Sequence, residues 1–193
     1  PGRTAALVSP DRLLARRAAI RLESWGITVD DSAGRPLAKT PPGAFLELIA
    51  AAVASRFAPA DVMALLKHPL TRLGLSVRDA RRAARSLELG ALRTIYLGDG
   101  LDGLEKNLER ARRETLDHIR RDRAARRLWD ADWESARDLV QRLGIAIAPL
   151  TSLAAERAPH ALHEFAAAHR AAADAIARSA DEAQPSRLWE GEA

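Results

Sequence analysis

Leu101-Asp102-Gly103-Leu104-Glu105-Lys106-Asn107-Leu108-Glu109-Arg110-Ala111 decides the fold class, because its apolar residues recur at three- and four-residue steps. Thr115 and Ile119 prolong the same stripe. A strand would alternate with period two, so this spacing predicts an amphipathic helix with one face in a core. The stripe fails at Asp122-Arg123, which predicts a break or a solvent-projecting turn over 120–127. It resumes at Leu128, Trp129, Trp133, Ala136, Leu139, Val140 and Leu143, where both tryptophans read as core side chains.

The flanking sequence extends this helical pattern. Ala44 to Phe57 is strongly apolar and predicts a core helix, and Pro59-Ala60-Asp61 opens another that His68-Pro69 stops after Lys67. Ser76 is placed to cap a helix reaching about Leu89, with Asp79 in its first turn and Arg78, Arg81, Arg82 and Arg85 on its exposed side. Pro149 and Pro159 are expected to punctuate the chain before an Ala-rich helix from His160 to Ser179. Only the start reads differently. Thr4 to Ser9 and Ile27-Thr28-Val29 are short apolar runs on either side of a helix from Pro10 to Trp25, with Ser9 or Asp11 as its cap and Gly26 at its end. That order predicts a small β-α-β unit over 3–31, then a loop from Asp30 to Gly43 marked by three Pro and two Gly. The expected architecture is mainly α, with a β-α-β unit plus helices in residues 1–70 and a helical domain in 71–193.

Composition narrows the functional classes. The chain has 193 residues, no cysteine and a net charge of +4, with aromatics at 4%. Without cysteine it has no disulfide, no thiol nucleophile and no Cys-ligated zinc or iron–sulfur cluster in these residues. No apolar run approaches the roughly 18 residues of a membrane span, and no signal-peptide pattern opens the chain, so a soluble intracellular protein without membrane association is expected. It begins at Pro1, not Met, and reads as part of a longer polypeptide.

Few constellations carry chemistry. There is no Gly-rich phosphate loop ending in Lys-Ser/Thr, so no complete nucleotide site, and no Gly-x-Ser-x-Gly elbow. No catalytic residue is assigned. Asp30 and Asp31 are adjacent carboxylates at a strand end, but successive strand residues point to opposite faces, so they serve as Asx-turn formers or partners for Arg35. His160, His163 and His169 share the last helix with Glu164; too few ligands gather there for a structural metal site, and none is assigned. The segment from Arg110 to Arg127 is locally basic. Arg112, Arg113, Arg120, Arg121, Arg123, Arg126 and Arg127 are its candidates for contact with a phosphate backbone.

Several stretches resemble a known family. Ala5-Ala6-Leu7-Val8-Ser9-Pro10-Asp11-Arg12, Ala15-Arg16-Arg17 and Trp25-Gly26-Ile27 resemble the opening of the second motor domain of superfamily-one helicases. Asp30-Asp31-Ser32-Ala33-Gly34-Arg35-Pro36-Leu37, Thr40-Pro41-Pro42-Gly43, Leu65-Leu66-Lys67-His68-Pro69-Leu70 and the terminal Leu188-Trp189-Glu190-Gly191-Glu192-Ala193 are similar to the AddB family, in its alphaproteobacterial form. AddB proteins are the double-strand-break repair subunits of the bacterial AddAB helicase–nuclease.

The resemblance implies a partial RecA-like motor unit followed by a helical insertion. It also implies a non-catalytic scaffold role in DNA end resection and recombinational repair, with possible DNA contact. The implied partners are the AddA-type helicase–nuclease subunit and single- or double-stranded DNA, in the bacterial cytoplasm at the nucleoid. ATP and Mg belong to the family's complex, and its iron–sulfur cluster to a nuclease domain outside this segment. One departure stands out: Ser9 occupies the place where active relatives carry a phosphate-reaching Arg, and a hydroxyl does not replace a guanidinium. Arg12 and Arg16 are therefore structural or weak phosphate contacts, and Asp30, Asp31, Arg35, Lys67 and His68 are motif residues of structural weight. The competing expectation is a module that docks the partner helicase subunit without touching DNA.

Overall fold

The computed structural model describes residues 4–32, 34, 36–93, 98–117, 119, 122–180 and 187–189. Among them it is mainly helical, with seven α-helices: α1 (Arg12–Glu23), α2 (Pro41–Ala54), α3 (Pro59–Lys67), α4 (Val77–Leu87), α5 (Gly100–Leu116), α6 (Asp130–Ala155) and α7 (Leu162–Ala177). The chain divides into two compact units at Pro36/Leu37. That differs from the expected division near residue 70. The reason is packing: Phe45, Ile49 and Ala52 of α2 and Val62, Leu65 and Leu66 of α3 share one buried cluster with α4 to α7.

In the 1–36 unit, Asp11 caps α1 by accepting from the backbone N–H groups of Leu13 and Leu14 at 2.9 and 3.1 Å. Gly26, at φ +73°, lets the Ile27 N–H turn back to the Leu22 carbonyl and end the helix. The expected strands do not form among the described residues. Thr4 to Ser9 and Ile27 to Val29 carry no ladder, and a strand without a neighbour to accept its hydrogen bonds is only extended chain.

In the 37–193 unit, α2 starts three residues before the expected Ala44. Thr40 Oγ1 accepts from the Gly43 N–H at 3.2 Å, and Pro41 and Pro42 fall in the first turn, where a missing N–H costs nothing. Leu37–Lys39 forms a 3₁₀ turn packed directly on that start. A Cβ on Gly43 would lie 1.8 Å from the Leu37 carbonyl oxygen, so only glycine fits.

The core is built around α6, which packs mainly on α7 and α4. Leu139, Val140, Leu143, Ile147 and Leu150 fill its inner face, and Ala136 and Ala146 are buried with them. The expected interruption at Pro149 is absent. Pro149 is exposed and Ile145, whose carbonyl loses its helical partner, is 78% exposed, so that carbonyl lies on the solvent side, where the loss costs little, and the helix runs on to Ala155. Pro159 does act as a boundary: α7 starts at Leu162, leaving His160 outside it.

Two connections fix the ends of the bundle. Between α4 and α5 a π-helical turn, Glu88–Leu92, carries Gly90, over which the Trp133 ring and Leu128 lie. Asn107 on α5 is buried and donates to the Ala91 carbonyl at 2.8 Å, satisfying that turn. The loop after α3 donates the N–H groups of Arg72 and Leu73 to Ile176 and that of Gly74 to Arg178, at the end of α7.

Gly43→Ala is expected to destabilise the 37–193 unit by about 1–3 kcal/mol, since backbone must move to admit the methyl group. A urea titration followed by circular dichroism measures it. A loss smaller than that of a surface Gly→Ala control would contradict the close approach of the Leu37 carbonyl to Gly43.

Candidate nucleic-acid interface

The arginines of α5 and the turn that follows it divide into two kinds. Arg112 faces α6 and forms ion pairs with Glu134 at 2.6 Å and Asp130 at 3.1 Å, leaving its side chain 22% exposed. The hydrogen bonds it donates to Glu134 and then to Asp130 hold its proton even more firmly than usual. It thus joins α5 to α6, and its charge, expected at a phosphate, is shared with two carboxylates. Arg137 on α6 makes the reciprocal bond to Glu109, and Arg110 pairs with Glu114.

Arg113, one residue on, is turned away from α6 and exposed, with no ion pair among the described residues. Arg123, Arg126 and Arg127 are likewise exposed and without ion pairs among the described residues. Arg120 and Arg121 lie outside the described residues. Of the acids that balance this segment, Glu109 faces Arg137 of α6 and Glu114 faces Arg110, while Asp130 and Glu134 of α6 face Arg112.

The 122–129 turn has a firm backbone. Asp122 accepts from the Ala124 N–H at 2.9 Å and Ala125–Arg127 makes a 3₁₀ turn, closed by the Leu128 N–H on the Ala125 carbonyl at 3.1 Å. Ala125 is fully buried and Leu128 half-buried, so the alternation pushes Arg126, Arg127 and Trp129 outward. Trp133 is 4% exposed, as a core residue should be, but Trp129 is 78% exposed. Its backbone is the extended N-cap of α6, where helical spacing no longer sets direction.

Asp132 holds that cap. It accepts from the Trp129 N–H at 3.0 Å and receives Arg82 from α4 at 3.0 Å. The Trp129 hydrogen bond chiefly, and Arg82 after it, keep the Asp132 carboxyl below the usual carboxylate range despite burial. Arg82 shares its side of α4 with Arg78, Arg81 and Arg85, which are exposed and without ion pairs among the described residues. These α4 arginines were legible at their i, i+3, i+4 and i+7 spacing as an exposed face, but nothing in that spacing linked them to the distant 123–127 turn. Arg82–Asp132 is the link.

Ser9 accepts from the Asp11 N–H at 3.1 Å, and Arg12 and Arg16 are exposed on α1. Asp30 and Asp31 are exposed in the turn before Gly34, whose N–H bonds the Asp31 carbonyl at 2.8 Å. Arg35 and Glu190 to Ala193 lie outside the described residues. Lys67 pairs with Glu88 at 2.9 Å, and His68 stacks on Phe45 with centroids 5.2 Å apart, where burial lowers its affinity for a proton. His160 is not on the helix of His163; it sits between Glu156 at 3.0 Å and Glu164 at 3.5 Å. Among the described residues no group of three His, Cys, Asp or Glu side chains is gathered to hold a metal ion. A cleft between the end of α2 and the start of α5 is lined by Arg56, Phe57, Asp99, Leu101, Thr151 and Ser152. Two of its three charged residues, Arg56 and Asp99, are spent on each other; the third is Asp102. No described helix is long and apolar enough to cross a membrane.

Comparison of the chain with protein-family models, with curated proteins and with solved structures finds no match.

Asp132→Ala is expected to cost about 1–2 kcal/mol at neutral pH through loss of the cap bond and the Arg82 partner. Because folding lowers the affinity of this carboxyl for a proton, its contribution is present above about pH 4 and is lost as pH falls further. Denaturation midpoints of the two proteins should therefore differ at pH 7 and converge towards pH 2; a gap that does not narrow on acidification counts against the ionised cap.

Proposed function

We propose that this chain is a non-catalytic, DNA-facing segment of an AddB-like helicase–nuclease subunit acting in double-strand-break end resection and recombinational repair. The observation that carries DNA contact is the set of exposed arginines without ion pairs among the described residues, Arg113, Arg123, Arg126 and Arg127, beside acids already engaged by other arginines. Such cations lose little on meeting phosphates and release counterions from the nucleic acid when they do. The sequence motifs in residues 5–70 support the family reading. In it, the 1–36 unit belongs to a motor-derived sheet, and Thr4 to Ser9 and Ile27 to Val29 are the segments that would take up ladder partners. Ser9 in place of a phosphate-reaching arginine fits a segment that does not turn over ATP.

The test is anisotropy of a labelled oligonucleotide titrated with the 193-residue chain at low and moderate salt. Affinity should fall steeply with salt, by about 0.7–0.9 in logarithmic slope per phosphate contact. Replacing Arg123, Arg126 and Arg127 by Gln should abolish most of it, whereas Arg112→Gln should weaken folding and leave DNA affinity within about twofold, because its charge is already committed to Glu134 and Asp130. No binding even at low salt overturns DNA contact.

One observation favours docking of the AddA-type partner as a second reading. Helix α1 has no buried residue, and Leu13, Leu14 and Ile20 are 74%, 52% and 55% exposed. Leu13 and Ile20 lie two turns apart on one face. If α1 is the docking element, Leu13→Asp with Ile20→Asp should abolish co-purification with the AddA-type subunit while the helical content of the chain and its oligonucleotide binding stay unchanged. Undiminished co-purification removes this reading.

A further inference from the structure

We propose that Trp129 is a base-stacking residue that makes the basic surface selective for single-stranded over duplex nucleic acid; the inference rests on the DNA-contact reading above and names the strand form it takes. Three observations converge on this indole.

Neither the core nor the helix cap explains its identity. At 78% exposed it contributes little to packing, unlike Trp133 one turn later. A helix N-cap ordinarily carries Ser, Thr, Asp or Asn, whose side-chain oxygen serves the first free N–H groups. Trp129 has no such oxygen, and the cap is supplied in reverse, by Asp132 accepting from the Trp129 N–H.

The backbone beneath the ring is held tightly. The Trp129 carbonyl accepts from the Asp132 N–H at 2.9 Å, the Asp132 carboxylate returns to the Trp129 N–H, and Arg82 fastens that carboxylate to α4. A ring presented on a fixed backbone loses little conformational freedom when a ligand stacks on it. The other exposed indole of the helical unit differs: Trp189 donates its Nε1–H to Asp174 at 2.6 Å, whereas that of Trp129 has no partner among the described residues.

Arginines precede it, and the acids beside it, Asp130 and Asp132, are held by Arg112 and Arg82. Arg126 and Arg127 lie three and two residues before it, with Arg123 at the head of the same turn. Arg82 ties the Trp129 cap to the α4 face that carries Arg78, Arg81 and Arg85. An aromatic face among free guanidinium groups is the pairing that single strands require: phosphates meet the cations while an unstacked base covers the ring. In a duplex every base face is already covered by its neighbours, so the ring gains nothing there. An acidic protein segment would use the arginines and leave the indole in water.

The test compares a labelled oligothymidylate with a duplex of the same length, titrated with wild type, Trp129→Ala, Trp129→Phe and an Arg126→Gln/Arg127→Gln double variant. Trp129→Ala should weaken single-strand binding about tenfold, leave duplex binding and the salt slope unchanged, and be largely rescued by Trp129→Phe. The Arg126/Arg127 variant should lower affinity for both forms and flatten the salt slope. If Trp129→Ala binds the single strand as tightly as wild type while the arginine variant does not, stacking is overturned and the DNA-contact reading survives. If wild type binds neither form at low salt, both fall. Competition by polyglutamate as effective as by oligothymidylate, and insensitive to Trp129→Ala, also overturns the proposal in favour of an acidic partner. Circular dichroism should show unchanged helix content in Trp129→Ala, since the ring is outside the core.

Discussion

Close approach of helices through alanine is the constraint on which the 37–193 unit depends. Ala80, Ala83 and Ala84 on α4, Ala136 and Ala146 on α6, and Ala168, Ala172 and Ala173 on α7 are all buried. A methyl group where a leucine would usually sit lets backbones come nearer, and the larger buried side chains such as Leu139, Leu143 and Ile147 fill the space beside it. The scarcity of aromatics follows from the same economy of space. So does the importance of α6, about 39 Å long at 1.5 Å per residue, which gives the shorter helices a common face.

Around that core, charge assumes part of the task of fixing helix positions. Arg112, Arg137, Arg82 and Arg142 each meet a carboxylate of α5 or α6. Individually such half-exposed pairs are weak. Their effect lies in orientation: by consuming the acids on the facing sides of α5 and α6, they leave the outward arginines uncompensated. A chain whose net charge is only +4 thereby presents local surfaces far more basic than that number suggests.

Helix identity and most of the caps were legible in the sequence because they are local properties. Ser76 before Val77 and Asp11 before Arg12 act where their side chains reach the next free N–H groups. Thr40-Pro41-Pro42-Gly43 reads as loop because Pro and Gly usually punctuate, and only the Thr40 cap turns the same residues into a helix start. The strands depended on neighbours that 4–9 and 27–29 do not find in the described chain, so no local pattern could decide them. The site was harder to read. Arg112 and Arg113 are adjacent in sequence and opposite in role, a distinction made by a rotation of about 100° and by carboxylates some twenty residues away. Trp129 and Trp133 share a helical spacing, yet the first stands outside the helix, where that spacing has no meaning.

The bonds from Arg72, Leu73 and Gly74 to the end of α7 join stretches about a hundred residues apart and extend into a parallel bridge between Leu75 and Ser179. They also hold Leu73 in a left-handed conformation that an L-residue otherwise avoids. The loop after α3 also receives Arg142 of α6 on the Leu73 carbonyl and ties Thr71 back to Leu65, but the N–H groups of Arg72, Leu73 and Gly74 find their partners only at the end of α7. A contact of that sequence separation is slow to form, so this clasp is expected to be a late event in the folding of the 37–193 unit.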